Sequence, residues 1–194
     1  MLFRRLHPGT PWLTPAAIAL LDGELTRDMV GVEFGSGSST LWFAARLRHL
    51  TSFEPNPIWY TRVQAQLVEA GARNVELVQQ DAPDAANESL DATPYSAAAS
   101  RFPDHSVNFV LVDGPNRCAC LVQGIRALKP GGLLVLDNAN WYFPHETRSP
   151  SSRGAGGTPQ TPLAAALWER LRAWDLRWTS NGVSDTALFR KPLA

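Results

Sequence analysis

Five acidic residues stand at or just beyond the ends of short apolar runs in this chain. Glu33 closes Met29–Val32, and Glu54 follows His49–Phe53. Asp81 follows Val75–Val78, Asp113 follows Val107–Val112 and Asp137 follows Leu133–Leu136. A carboxylate can accept hydrogen bonds from hydroxyls and amines, hold a cation, or take a proton from a reacting group. Around the first acid the sequence runs Val32-Glu33-Phe34-Gly35-Ser36-Gly37-Ser38-Ser39-Thr40. Gly35 and Gly37 carry no Cβ, so the backbone can turn sharply there and approach a ligand closely. A strand, a tight glycine turn and a helix in succession is how Rossmann-like sheets hold an adenosine-bearing cofactor. Glu54 lies about twenty residues beyond Gly35, the spacing of an acid that accepts hydrogen bonds from ribose hydroxyls.

The same run bears on which cofactor that is. A dinucleotide site normally has a third glycine at the sixth position of GxGxxG, where this chain has Thr40. Glu33 puts negative charge beside the turn, unfavourable to a pyrophosphate and favourable to an ammonium or sulfonium. S-adenosyl-L-methionine carries both cations and no phosphate. An NAD(P)-dependent oxidoreductase is the enzymatic rival, and a module that holds S-adenosylmethionine without turnover is the non-catalytic one.

The elements that must position these residues follow from the pattern. Thr14-Pro15, Asn56-Pro57 and Thr161-Pro162 each pair a capping side chain with a proline suited to the first helical turn. Strands are expected at 29–34, 49–53, 75–78, 107–112, 133–136, 176–179 and 186–190. Helices are expected from Pro15, over 41–47, from Pro57 to Gly71, through 121–128 and from Pro162. Lys129-Pro130-Gly131-Gly132 is expected to end the fourth of these helices. Asn181-Gly182 joins the last two strands as a hairpin. Repeated βα units closing on a hairpin predict an α/β fold: a Rossmann-like three-layer sandwich with a mostly parallel seven-stranded sheet and a C-terminal antiparallel β-hairpin. The expected organisation is one domain over 1–194, with an N-terminal arm and helix at 1–28. Residues 82–106 read as a loop with a short helix, and 141–160 as a flexible loop over the acceptor site.

Composition narrows the function classes. The 194 residues carry 18 Lys and Arg against 18 Asp and Glu, a formal net charge of +0, which disfavours nucleic acid as a partner. No apolar stretch is long enough to span a membrane, so no membrane partner is expected. The two cysteines, Cys118 and Cys120, are too close for an ordinary disulfide scaffold, are read as structural, and point to a reducing cytoplasm.

With these residues in view, nearly the whole chain, from about Trp12 to Lys191, resembles the class I S-adenosylmethionine-dependent methyltransferases. Glu33-Phe34-Gly35-Ser36-Gly37 is similar to that family's first motif. The resemblance implies that Glu33, Gly35, Ser36, Gly37, Ser39 and Thr40 hold the methionine end and Glu54 the ribose. It places Pro55 against the adenine, and Asp81 with Ala82 at the adenine amino group. Asp113 would stand between cofactor and acceptor, and the partner would be a small molecule accepting a methyl group on oxygen or nitrogen, with a homodimer compatible.

Three readings of the acceptor side stay open. Asp113, Asp137 and Asn138 are hard oxygen ligands suited to Mg²⁺, similar to the set in catechol-type O-methyltransferases. That group places a lysine three residues beyond the aspartate, where this chain has Asn116, with Arg117 next to it. Alternatively Asp113 is a metal-free base or anchor, or a helix cap with Asp137-Asn138 as a turn. His145 is a second candidate for the acceptor's proton. Tyr95, Trp141, Tyr142 and Phe143 are expected to wall the acceptor pocket, with Trp12 folding over it or packing elsewhere.

Overall fold

The structure, a computed structural model, describes residues 9–83, 87–88 and 92–193. Residues 1–8 of the expected arm lie outside the described residues, as do 84–86 and 89–91 of the stretch 82–106.

Seven strands form one sheet: β1 (Val30–Phe34), β2 (His49–Glu54), β3 (Val75–Gln79), β4 (Val107–Val112), β5 (Leu128–Asp137), β6 (Asp175–Ser180) and β7 (Asp185–Arg190). Their spatial order is β3-β2-β1-β4-β5-β7-β6. The first five pair in parallel, while β7 runs antiparallel to both β5 and β6. The expected mostly parallel sheet with its antiparallel hairpin is therefore the observed architecture. The carboxyl ends of β1 to β5 and the start of β7 share one edge, since Asp137 pairs with Thr186.

Side chains on successive residues of a strand point to opposite faces. Accordingly Val110 and Val112 of β4 join one apolar cluster, while Phe109 and Leu111 join another. Helices α5 (Arg117–Ala127) and α6 (Pro162–Leu171) close the first cluster through Leu121, Ile125, Ala164 and Leu167. Helices α1 (Pro15–Glu24) and α2 (Ser38–Ala44) close the second through Ala17, Leu21 and Phe43. Two further helices are α3 (Pro57–Glu69) and the short α4 (Pro94–Ala97).

The local signals place three helix starts as read. Thr14 caps the amide of Ala17, Asn56 those of Ile58 and Trp59, and Thr161 that of Ala164. Three elements differ, one of them α5, which begins at Arg117 rather than near Leu121. Helix α2 begins three residues before the expected Leu41, because the hydroxyls of Ser39 and Thr40 are fixed at its start (below). Lys129–Gly132 lies within β5 rather than in a terminating loop. Gly131 N donates to Lys191 O, and Lys191 N to Gly132 O, so the segment after β7 draws it into the sheet.

Candidate active site at the strand ends

The glycine turn and the end of β4 meet closely. Asp113 N and Gly114 N both donate to Phe34 O, at 2.9 and 2.7 Å. Gly35 has φ +94°, and a Cβ there would come within 2.7 Å of Gly114 N. A Cβ on Gly114 would in turn collide with the Tyr95 hydroxyl. Gly35 is thus required by the crossing backbone, and Gly114 by the buried Tyr95 hydroxyl.

Glu33 is fully buried, and three hydroxyls hold its carboxylate. Ser39 Oγ donates to one oxygen at 2.6 Å; Thr40 Oγ1 and Ser52 Oγ donate to the other at 2.7 and 2.6 Å. Burial pushes its carboxyl up to about 7 against the opposing pull of these bonds. The expectation that Glu33 faces the cofactor directly changes here. With no exposed surface and three bonds inside the fold, it acts on the turn through Ser39 and Thr40. Thr40 Oγ1 also accepts from Gly37 N at 2.9 Å, which fixes the start of α2.

Glu54 is 4% exposed. Its Oε2 accepts from both the amide and the hydroxyl of Ser36, each at 2.9 Å, and its Oε1 from Asn56 N at 2.9 Å. Burial raises its pKa, with the Asn56 and Ser36 bonds opposing. Pro55 follows directly, partly exposed; Asp81 is exposed just beyond β3, and Ala82 packs against the core beside it.

A cavity of about 110 Å³ is lined by Ser36–Ser39 of the turn, Trp12, Trp59 and Asp113. Trp59 Nε1 donates to Ser36 O at 2.6 Å, and the Trp12 ring lies 6.3 Å from that of Trp59. Trp12 therefore packs beside Trp59 over the glycine turn and lines the same cavity as Asp113. A second cavity, of about 600 Å³, shares Trp12, Ser38 and Trp59 with it and extends along α3 past Arg62 and Gln66. Burial raises the pKa of Glu33, Glu54 and Asp113 alike, and of the three only Asp113 lines the cavity.

Asp113 is the acid of this group that reaches the cavity, its side chain 27% exposed. Burial and then Asp137 raise its pKa, opposed by Arg117. Arg117 donates through one nitrogen to Asp113 Oδ1 at 2.9 Å and to Asp113 O at 2.8 Å. Asp137 Oδ1 accepts from Thr186 Oγ1 at 2.8 Å. Asn138, at φ 50°, turns the chain into a short 3₁₀ turn over Ala139–Trp141. Among the described residues no three His, Cys, Asp or Glu side chains group as a metal site. The residues give Mg²⁺ no support: a guanidinium already engages Asp113, and a threonine hydroxyl Asp137.

The structure does not bring His145 to Asp113. Its ring stacks on Trp178 of β6 at 4.1 Å, and burial lowers its pKa. Strand β6 lies three strand spacings from β4, about 14 Å. Tyr95 and Phe143 are wholly buried and belong to the core, as does Tyr142 at 4%; Trp141 alone of the expected aromatic wall is exposed. The loop 141–160 is stitched down: Asn140 Nδ2 donates to Pro150 O, Ser149 Oγ to Asp185, and Gln160 N to Tyr142 O. Sequence reasoning missed Glu88, which accepts from the Tyr142 hydroxyl at 3.1 Å, and gave Arg117 only a secondary place. The i,i+4 spacing of Asp113 and Arg117 was the available signal.

Sheet order, glycine turn and strand-end acids together define a class I S-adenosylmethionine-dependent methyltransferase. Residues 32–139 match the model of a family described as a methyltransferase domain, and the chain belongs to that family. No curated protein matches the chain. Among solved structures, a methyltransferase from Geobacter sulfurreducens superposes with a TM-score of 0.60 at 16% identity, covering 100% of this chain and 86% of that one. The Streptococcus mutans protein SMU.1697c, solved in complex with SAH, gives 0.60 at 10% identity over 92% and 98%. An rRNA methylase from Streptococcus thermophilus gives 0.58 at 14% identity over 94% and 99%. At these identities the likeness is one of fold. Among the described residues no helix is long and apolar enough to cross a membrane.

Proposed function

We propose that the protein transfers a methyl group from S-adenosylmethionine to an oxygen or nitrogen of a small-molecule acceptor. The observation that carries this reading is that Asp113 and the Ser36–Ser39 turn line one cavity at the strand ends. The cofactor supplies, when bound, a methyl group on a positively charged sulfur. Gly35, Ser36 and Gly37 present backbone to its methionine end, with Ser39 and Thr40 held in place by Glu33. Glu54 accepts hydrogen bonds from the ribose, and Pro55, Asp81 and Ala82 border the adenine. Asp113 accepts the hydrogen bond of the acceptor's O–H or N–H and so aims its lone pair. The balanced charge of the chain favours a small acceptor over a polyanion such as RNA. The whole chain acts as one catalytic domain, with 141–160 bordering the acceptor side.

Calorimetry with S-adenosylhomocysteine tests the cofactor, and absence of binding overturns the reading. NAD⁺ in the same cell tests the oxidoreductase alternative. Turnover on a panel of phenols, amines, carboxylates and an RNA fragment separates a catalyst from a binding module. Activity is expected on a small acceptor, unaffected by EDTA, and lost by about 100-fold or more in Asp113→Asn. Methylation of the RNA alone would overturn the small-molecule assignment.

A further inference from the structure

Resting on that reading, we propose that Arg117 is the built-in cation of the acceptor site, a positioning residue that fixes the Asp113 carboxylate where the acceptor must meet it. One guanidinium nitrogen grips both the side-chain oxygen and the backbone carbonyl of Asp113, at 2.9 and 2.8 Å. Holding two atoms of one residue fixes the carboxylate's direction as well as its place, which an exposed ion pair does not do. The arginine side chain is only 9% exposed, so water competes little for it.

Its surroundings are arranged to keep it there. The Trp141 and Tyr142 rings lie 5.6 and 5.9 Å from the guanidinium carbon. Tyr142 is held in turn by Glu88 at 3.1 Å. Asn116 takes a left-handed conformation, φ 51° and ψ 45°, that starts α5 at Arg117, and its Nδ2 donates to Asn87 O at 3.1 Å.

Two features show that the helix itself gains little from this residue. A cation at the first helical position opposes the helix dipole, which favours anions there. The Nε of Arg117 is buried without a hydrogen-bond partner, a cost that a purely structural arginine would avoid by turning outward. What the arrangement achieves is a fixed positive charge on Asp113 beside Asp137, the place a divalent ion would otherwise take.

The test compares Arg117→Gln and Arg117→Lys with the wild-type enzyme. Arg117→Gln is expected to lower kcat by about 100-fold, the scale of a 1 Å misplacement. Lysine keeps the charge but loses the flat guanidinium that lies by Trp141 and Tyr142, and is expected to lower kcat by about tenfold. S-adenosylhomocysteine affinity stays within about threefold in both, because neither touches the glycine turn. Guanidinium ion, added at non-denaturing concentration, restores turnover to Arg117→Ala and not to Asp113→Asn. The double variant Asp113→Asn, Arg117→Gln is no slower than Asp113→Asn. Arg117→Gln within twofold of wild type overturns the proposal, as does a double variant whose losses multiply.

A measurement without acceptor keeps the inference separate from the reading it rests on. In wild-type enzyme loaded with S-adenosylhomocysteine, the Arg117 guanidinium protons are expected as slowly exchanging NMR signals, lost in Asp113→Asn. Exchange as fast as that of the exposed Arg172 overturns the inference even where the cofactor binds.

Discussion

Ser36 spends both its amide and its hydroxyl on a single oxygen of Glu54, at 2.9 Å each. The end of β2 thereby grips the glycine turn that follows β1. The acid that would read the ribose and the turn that would cradle the methionine end form one unit. Glu54→Gln is expected to weaken S-adenosylhomocysteine binding by about 10- to 100-fold, the worth of a charged hydrogen bond. Calorimetry would show it, and an unchanged affinity would remove Glu54 from the cofactor site.

Gly35→Ala places a Cβ 2.7 Å from Gly114 N at a φ of +94°. Left-handed strain and overpacking together cost about 3 kcal/mol. The expected fall in Tm is about 10 °C. A loss of less than 2 °C would mean that the crossing of the two turns is looser than described.

Glu33 gives stability a pH dependence of definite sign. Its carboxyl is raised from 4.5 in the unfolded chain to about 7 in the fold, with burial as the leading cause. Between those values the folded state binds the extra proton, so this contribution is present below pH 4.5 and is lost as pH rises through 7. The loss amounts to about 3 kcal/mol. Glu33→Gln has no such dependence, so urea unfolding should show the gap between wild type and variant narrowing from pH 5 to pH 8. A constant gap would refute the assignment.

Cys118 and Cys120 are free and wholly buried, and burial pushes the Cys118 thiol up to about 12. At pH 8 roughly one Cys118 in ten thousand is a thiolate, so neither cysteine is expected to react with a thiol reagent until urea unfolds the chain. Rapid labelling of the native protein would contradict the packing of α5.

What could be read from the sequence was local. Thr14-Pro15, Asn56-Pro57 and Thr161-Pro162 start helices because cap and proline act within one turn. The run Val107–Val112 is a strand to the residue. What could not be read depends on distant partners. Lys129–Gly132 is a strand only because Lys191 pairs with it across the sheet. Glu33 carries a motif's acid, yet Ser52, a neighbour only once β1 and β2 pair, helps to bury it. His145 was legible as a titratable residue near the acceptor end, but its partner Trp178 is set by sheet order. The placement of Glu88 and Trp12 likewise comes from packing that no spacing encodes.

Thr186 Oγ1 donates to Asp137 and accepts from the amide of Thr14, an element 172 residues earlier in the chain. Thr14 stands two positions after Trp12, the ring that lies over the glycine turn. During synthesis, β1 to β4 emerge and can pair long before β7 exists. The arm can take this anchorage only once β7 has left the ribosome. Until β7 has emerged, the Thr14 amide lacks this partner, and the seating of Trp12 against Trp59 over the glycine turn waits on a strand made far later in the chain.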